Sequence, residues 1–338
     1  MKRTMKKAIS LLLVAAMTLL CVFAFASCGK DNPTSTTTAA TTGGQAQKTY
    51  TVGICQLMRH EALDAATRGF KDALKEILGE ANVTFNEQNA AGDTNACSTI
   101  VTGFVSTNVD LIMANATSAL QAAYNATTRI PILGTSVTEY GVALEIDDFN
   151  GTPGGNVSGT SDLAPLTEQA DMILELVPTA TKVGLLYCSA EPNSAYQVQV
   201  VQTYLEGKGI TCQRFTFSDS NDIAAVATAA AMWSDAIYVP TDNTAASSAE
   251  TIGNIVRERR VPVIAGEQGI CVGCGVATLS ISYYDLGRKT GEMAAQILKG
   301  EANISEMPIQ YAPATKMYNP SICQELGITP PAGYTAIQ

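Results

Sequence analysis

The sequence predicts an α/β protein made of two doubly wound parallel-sheet lobes joined by a hinge. From Thr49 onwards, short β-branched runs alternate with longer amphipathic stretches, which is typical of a parallel sheet covered by helices on both faces. The second half of the chain repeats this plan, and the residues beyond position 48 are too many for one ordinary hydrophobic core. We therefore expect two similar lobes with a cleft between them.

The first half shows strand and helix patterns in alternation. The stretch 62–78 is the clearest helix, because Leu63, Phe70, Leu74 and Ile77 fall on one face. Further elements are predicted as strands for YTVGI (50–54), VTFNEQ (83–88), VDLIMA (109–114) and IPILGT (130–135), and as helices near 94–106 and 118–127.

The second half follows the same order. Strands are predicted for KVGLLYC (182–188), ITCQRFTF (210–217), DAIYVP (235–240) and VPVIAG (261–266), with helices near 194–206, 221–233 and 245–259. The segments 109–136 and 234–268 share one plan of strand, polar turn, helix, strand after proline and polar turn, which indicates an internal duplication. A late helix near 284–298 is expected to return to the first lobe.

These patterns predict a division of the chain into four parts. The parts are a signal peptide at 1–27, a lipidated flexible tether at 28–48, lobe 1 at 49–159 plus 282–309, and lobe 2 at 160–281 plus 310–338.

The N-terminus is typical of an export signal. A basic start, MKRTMKK, precedes an apolar run that ends in Ser27-Cys28-Gly29. Phe-Ala-Ser-Cys resembles a bacterial lipobox, which implies lipidation of Cys28 and an extracytoplasmic protein anchored to the outer face of the cell membrane. The apolar run is almost long enough to span a bilayer, and a membrane-spanning helix is the alternative. The following Thr-rich segment lacks the apolar residues of a folded core.

Charge and cysteine content exclude several classes of partner. Removal of residues 1–27 leaves 17 basic and 31 acidic side chains, a net charge of −14, which argues against nucleic acid. Cys271 and Cys274 form a single CxxC that could be a redox pair or half a metal site, but a loop with two thiols or one local disulfide is favoured. Because His60 is the only histidine, no metal and no cofactor are predicted.

The expected site is the cleft, because ligands bind outside the carboxyl ends of parallel strands. In the first lobe, Ala116, Thr117 and Ser118 follow a strand and open a helix, whose free amides favour an anion. Thr135 and Ser136 end the next strand and should lie beside that turn. Together these residues could grip a carboxylate, although helix capping by Thr117 or Ser118 explains the turn equally well.

The equivalent turns of the second lobe contain acids. Asp242, Asn243 and Glu267 could hold a ligand ammonium, and a plain N-cap is the alternative for Asp242. Two other turns point to the same cleft, and their short polar side chains could orient a small ligand. Those side chains are Thr160, Ser161, Asp162, Asn193 and Ser194. His60 follows the first strand and is expected at the cleft rim as a surface or hinge contact.

No catalytic residues are predicted. The chain has no GxSxG, Walker or Rossmann glycine pattern, and His60 alone would have to serve any nucleophile that needs a histidine base. A hydrolase with paired carboxylates is not excluded, but no pair stands out.

The same turns, read in order, resemble a family of ABC-transporter substrate-binding proteins that includes tryptophan and tyrosine uptake receptors. The stretches that carry the resemblance are HEALD (60–64), NATSALQAA (115–123), GNVSGTSDL (155–163), VGLLYCSAEPNS (183–194), YVPTDNT (238–244) and SYYDLGRKTGEMAAQILKGE (282–301). Glu61 departs from the family, where proline commonly follows the early histidine, and the CVGC segment has no familiar counterpart.

The resemblance implies a type I periplasmic-binding fold that closes about a hinge and delivers a small ligand to a membrane permease with its ATPase. It points to the same site residues except Glu267 and to an amino acid as ligand, an aromatic one in the tryptophan and tyrosine receptors of the family. A sugar- or nucleoside-binding receptor, or a sensory ectodomain of the same fold, is the alternative.

Overall fold

The computed structural model describes residues 48–338, which form two sheets with helices on both faces. The predicted signal segment, the lipidation site Cys28 and almost all of the tether lie outside the described residues. The strands are β1 Tyr50–Gln56, β2 Val83–Asn89, β3 Leu111–Asn115, β4 Ile132–Val137, β5 Val157–Ser161, β6 Lys182–Cys188, β7 Thr211–Phe217, β8 Ala236–Val239, β9 Val263–Ala265, β10 Ala277–Ser280, β11 Gln310–Tyr311, β12 Thr315–Tyr318 and β13 Thr335–Ala336. The helices are α1 Glu61–Leu78, α2 Thr94–Ser106, α3 Thr117–Ala126, α4 Tyr140–Leu144, α5 Leu166–Leu176, α6 Pro192–Gly207, α7 Ile223–Trp233, α8 Asn243–Ser247, α9 Ala249–Glu258, α10 Gln268–Cys274, α11 Tyr283–Lys299 and α12 Pro320–Leu326.

The two sheets confirm the predicted fold class. The first sheet has the strand order β11-β5-β4-β3-β1-β2, and the second has β13-β12-β10-β9-β8-β6-β7. All neighbouring strands are parallel except β10 and β12. The chain passes between the sheets after β5, after β10 and after β11, so three segments form the hinge.

Hydrophobic side chains on both faces of the central strands hold each sheet between two cores. In β3 every residue is buried; Leu111 and Met113 join the core on one face, whereas Ile112 and Ala114 join the core on the other. This alternation follows from the two-residue period of a strand, and it explains why the strand is a continuous apolar run in the sequence. Because helices and hydrophobic cores cover both faces of each sheet, only the ends of the strands are accessible for a binding site.

Helices α1 and α11 pack closely on the first sheet because glycine faces the partner backbone. A Cβ atom on Gly69 would lie 2.1 Å from the Tyr284 carbonyl oxygen, and one on Gly287 would lie 2.0 Å from that of Ala66. The contact fixes the start of α11, and therefore one hinge segment, against the helix that begins beside the cleft. Helix α11, the predicted late helix, thus packs against α1 beside the first sheet.

The structure differs from the predicted elements in one helix, at the predicted lobe boundaries and in several elements that were not predicted. The helix predicted at 245–259 is divided into α8 and α9 by Ser248, which leaves the helical region at φ −124°. Strand β5 continues to Ser161 and pairs with β11. The first sheet therefore extends two residues past each of the predicted lobe boundaries, at residue 159 and at residue 309. The predicted elements also omit the helices α4, α5, α10 and α12.

Cys271 and Cys274 are two free thiols, one of the two expected states, but the expected loop around them is a helix. They lie on α10, and both are buried free thiols. Glu267 starts this helix by accepting two hydrogen bonds from its first amides. Glycine at position 273 allows α10 to approach α9, since a Cβ there would lie 2.5 Å from that of Ala249. The motif is therefore part of helix packing.

Candidate functional site

A narrow cavity of about 10 Å³ lies where the carboxyl ends of the two sets of parallel strands face each other. Six of the predicted site residues line it, and they come from both lobes. They are Ser136, Asp162, Asn193, Asp242, Asn243 and Glu267. His60 from the first lobe and Tyr283 from the hinge complete the polar wall.

The turn after β3 presents an uncapped helix end. Ala116 has a φ of 97°, a region that residues with a side chain rarely adopt, and no side chain caps the first amides of α3. The Ala116 amide donates to the Thr135 carbonyl at 3.0 Å, which fixes the turn against β4. Such a helix end is a preformed binding position for an anion.

Ser136 extends this surface into the cavity. Its φ is 53°, again in the left-handed region, and its buried hydroxyl has no hydrogen-bond partner in the part of the chain that the structure describes. Backbone strain and an unpartnered buried hydroxyl both have a free-energy cost, which is usual for residues that bind a ligand.

Asp162 stands at the start of the first hinge segment. The side chain is buried, and its Oδ2 accepts a hydrogen bond of 2.9 Å from the Tyr283 hydroxyl. Burial raises the pKa of this carboxyl above its ordinary value. Its Oδ1 has no hydrogen-bond partner within 3.5 Å among the described residues, although the neighbouring Thr138 side chain counteracts part of the rise in its pKa. One oxygen of a buried acid is therefore available to a donor that enters the cavity.

Asp242 and Glu267 cap helices and line the cavity at the same time. Asp242 accepts from the Cys188 amide at 2.7 Å and from the Ala245 amide at 2.8 Å. Burial, together with the charge of Glu191, raises the pKa of Asp242 to about 8. Burial raises the pKa of Glu267 to about 7, although two α10 amides donate to it.

The electrostatic character of the cavity follows from these acids. No lysine or arginine lines it among residues 48–338, whereas Asp162, Asp242 and Glu267 do. Buried carboxylates without a counter-charge favour the entry of a cation. The cavity is thus suited to a group that carries a positive charge and several N–H donors.

Seven predicted site residues do not line this cavity. Ser118 lines a wider neighbouring groove of about 590 Å³, and Ala116 and Thr117 form the turn at this helix end. Ser161 donates to the Thr138 carbonyl, and the Ser194 hydroxyl accepts from the Asn193 side-chain amide at 3.3 Å.

Thr135 and Thr160 belong to a buried hydroxyl ladder. The Thr135 and Thr160 hydroxyls are 3.1 Å apart, and Thr160 lies 2.8 Å from the Thr290 hydroxyl. This ladder joins β4, β5 and α11 behind the cavity. It accounts for these side chains as a support for the hinge.

Glu191 is a site residue that the sequence analysis did not select. Its carboxylate accepts from both the amide and the side chain of Asn243, and from both the amide and the hydroxyl of Thr244. The residue precedes Pro192 and therefore looks like the cap of its own helix. Its charge stabilises the start of α8 instead, 52 residues further along the chain.

Comparison with known proteins identifies the wider group. The family model for ABC transporter substrate binding proteins matches residues 51–333. A tyrosine-binding protein of Clostridioides difficile is 35% identical over 268 residues, 78% of this chain and 76% of that protein. The described helices include none that is both long enough and apolar enough to cross a membrane.

Two solved structures bear on the arrangement of the lobes. An ABC domain from Streptococcus pneumoniae in complex with L-Trp is 32% identical, with a TM-score of 0.80 over 86% of this chain and 100% of that chain. The ligand-free, open structure of a Clostridium difficile substrate-binding protein is 35% identical, with a TM-score of 0.66 over 86% of this chain and 99% of that chain. This chain therefore superposes better on the L-Trp complex than on the ligand-free, open structure, although the open structure is the more identical in sequence.

Proposed function

Because the chain belongs to the family of ABC transporter substrate-binding proteins, we propose that it binds the zwitterionic head of an amino acid in the cavity between its lobes. Proteins of this family are extracytoplasmic receptors, not enzymes, and their partners are a small-molecule ligand and the ABC transporter. The proposal concerns the ligand and the residues that hold it.

The observation that carries the proposal is the buried acid with a free oxygen. Asp162 Oδ1 has no partner among the described residues, and Asp242 and Glu267 line the same cavity. An ammonium group supplies three donors and a positive charge. In our proposal one donor goes to Asp162, while the other two acids stabilise the charge. Sugars and nucleosides lack such a cation, so their entry would leave the acids without a counter-charge.

The carboxylate of the ligand has a separate position in this proposal. The uncapped amides of α3 and the free hydroxyl of Ser136 are donors at the first-lobe side of the site, and Ser118 lies at the same helix end. A carboxylate accepts such bonds and is favoured by the positive end of the helix. The hydrogen-bond donors at the start of α3 thus match the carboxylate of an amino acid, and the acids of the cavity match its ammonium group.

An aromatic side chain is favoured by the relatives. One is named a tyrosine-binding protein, and a solved relative holds L-Trp. The wider groove provides space next to the helix end, with Leu57 and Met58 in its wall. We propose that the ligand side chain extends into this groove while its head occupies the cavity. Binding to both lobes at once favours the closed state.

The test is a thermal-shift screen of the protein truncated before Lys48, refolded beforehand to remove carried-over ligand. We expect L-tryptophan, L-tyrosine or a close relative to raise the melting temperature, because a ligand that binds only the folded state stabilises it by mass action. The matched controls are tryptamine, which lacks the carboxylate, and indole-3-propionate, which lacks the ammonium. Stabilisation by a sugar or nucleoside alone would contradict the proposal.

The second part of the proposal is a lipid anchor on Cys28 after removal of residues 1–27. It is supported by the Phe-Ala-Ser-Cys sequence, which resembles a lipobox, and by the Thr-rich segment that follows. We expect the full chain to incorporate a labelled fatty acid and to sediment with membranes, and the Cys28→Ala variant to do neither. Incorporation of label by the variant would place the modification elsewhere.

A further inference from the structure

His60 reaches across the cleft. It precedes α1 in an extended conformation, and its side chain makes no capping bond to that helix. Instead, its Nε2 lies 3.1 Å from Oδ1 of Asn243, a residue 183 positions away in the second lobe. Both residues line the cavity. The contact therefore exists only while the lobes are together.

The hydrogen bonds of Asn243 determine the direction of this contact. Its Nδ2 donates to Glu191 at 2.7 Å, and its backbone amide donates to the same oxygen at 3.0 Å. Rotation of the amide would place Oδ1 against a carboxylate, so Oδ1 must face the histidine. An amide oxygen only accepts, and His60 Nε2 must then carry the proton.

The acceptor is also fixed before the lobes meet. Glu191 holds Asn243 and Thr244 through four hydrogen bonds that lie entirely within the second lobe. Little side-chain freedom remains to be lost when His60 arrives, so the net gain from the new bond is larger than for two mobile groups. Burial lowers the pKa of His60 in spite of the acids Glu191 and Asp64, which favours the neutral donor.

We infer that His60 is a closure latch, a positioning residue whose bond to Asn243 prolongs the closed state without selecting the ligand. The inference rests on the proposed function only in assuming that ligand occupies the cavity beside it. His60 and Asn243 both lie outside the three hinge segments, so their bond acts on the opening motion and not on the path of the chain.

The first test measures the closed-state lifetime directly. Single-molecule fluorescence energy transfer is recorded between dyes at the exposed positions Glu80 and Glu206, with and without the solute that stabilises the protein most. We expect His60→Ala to shorten the closed-state lifetime about two- to tenfold, the range for one net hydrogen bond. His60→Gln, whose side-chain N–H can replace Nε2, should restore most of it. In an Asn243→Ala background, His60→Ala should have little further effect.

The second test compares Kd values for L-tryptophan and L-tyrosine. We expect His60→Ala to raise both by the same factor, mainly through faster dissociation. A changed ratio of the two Kd values would make His60 a ligand contact and would overturn the latch. An unchanged lifetime, full additivity with Asn243→Ala, or a wild-type protein that never closes would overturn it too. If wild type binds neither amino acid but His60→Ala still shortens closed events, the proposed function fails and the latch stands.

Discussion

Replacement of Asp162 by asparagine should weaken ligand binding and stabilise the ligand-free protein at the same time. The aspartate has two acceptor oxygens, one used by the Tyr283 hydroxyl at 2.9 Å and one free. Asparagine has the same size but only one acceptor oxygen. One of the two oxygen positions therefore becomes an NH₂ group, which cannot accept a bond from Tyr283 or from a ligand ammonium at that position.

The expected magnitude follows from the loss of a charged, buried hydrogen bond. Such a bond contributes about 1.5–3 kcal/mol, which corresponds to a rise in Kd of roughly 10- to 150-fold. Isothermal titration calorimetry with L-tryptophan and L-tyrosine measures it. A Kd within about twofold of wild type, in a variant that is folded, would refute the assignment of Asp162 to the ammonium.

The stability of the ligand-free variant should change in the opposite sense. Burial raises the pKa of Asp162, so the folded state disfavours the carboxylate. The stability that this raised pKa provides is complete below the unfolded pKa and is lost as pH rises through the folded value. Asparagine does not ionise, so the Asp162→Asn variant should not lose stability in this way as pH rises. The melting temperature of the variant should exceed that of wild type at pH 8, and the two melting temperatures should be similar near pH 4.

Asp235→Asn is the matched control. The amide and hydroxyl of Thr181 and the amide of Lys182 donate to this exposed acid, and the bond from the Thr181 amide is the main cause that lowers its pKa. Its charge therefore stabilises the folded protein, and the variant should melt at a lower temperature at pH 7. Asp235 lies outside the cavity lining, so ligand affinity should not change. Only replacement of an acid that binds ligand should both weaken ligand binding and raise the melting temperature of the ligand-free protein.

The remaining predictions concern other groups of the site and hinge. Ser136→Ala should raise Kd about two- to tenfold in calorimetric titrations, with no loss of ligand-free stability, because its hydroxyl has no described partner; lost stability with unchanged Kd would contradict this. The pKa values of Asp242 and Glu267 are about 8 and 7. The stability of the ligand-free protein, measured by scanning calorimetry, should therefore fall as pH rises from about 6 to about 9, while the affinity for an ammonium ligand rises. An affinity that is constant over this range would argue against both acids. Gly159→Ala should destabilise the protein by at least about 1 kcal/mol in denaturant titrations, since φ is 148° and the new Cβ would lie 2.1 Å from the Gly134 carbonyl; an unchanged midpoint would show that the backbone there adapts freely.

Local patterns were sufficient to predict most of the fold. The helix predicted at 94–106 and the adjacent strands match the structure, because their periodicity reflects burial on faces that are set within one element. The break at Ser248 was not predictable, since the apolar period continues across it. Short helices such as α4 and α10 contain too few turns to produce a recognisable period.

The site was predictable in its chemistry but not in its partners. Asp242 and Glu267 follow strands, so their place at the cleft is a consequence of parallel topology. Thr135 and Thr160 follow the same rule, yet their hydroxyls are used by each other and by Thr290, because a strand end also has a face toward the hinge helix. The bond from His60 to Asn243 depends on how far the lobes close, which no local pattern contains.

The arrangement of the acids explains how a ligand would drive closure. In the closed lobes, helix amides partly compensate Asp242 and Glu267, but Asp162 keeps one oxygen without a donor among the described residues. Closing an empty cavity therefore removes water from acids that the protein does not neutralise, at a cost in free energy. An ammonium in the cavity removes this cost in the closed state alone, because only there does the first lobe enclose it together with the hinge acid Asp162 and the two acids of the second lobe. A differential interaction of this kind is what shifts a two-state equilibrium, so a cationic head should close the protein more effectively than a neutral ligand of equal size.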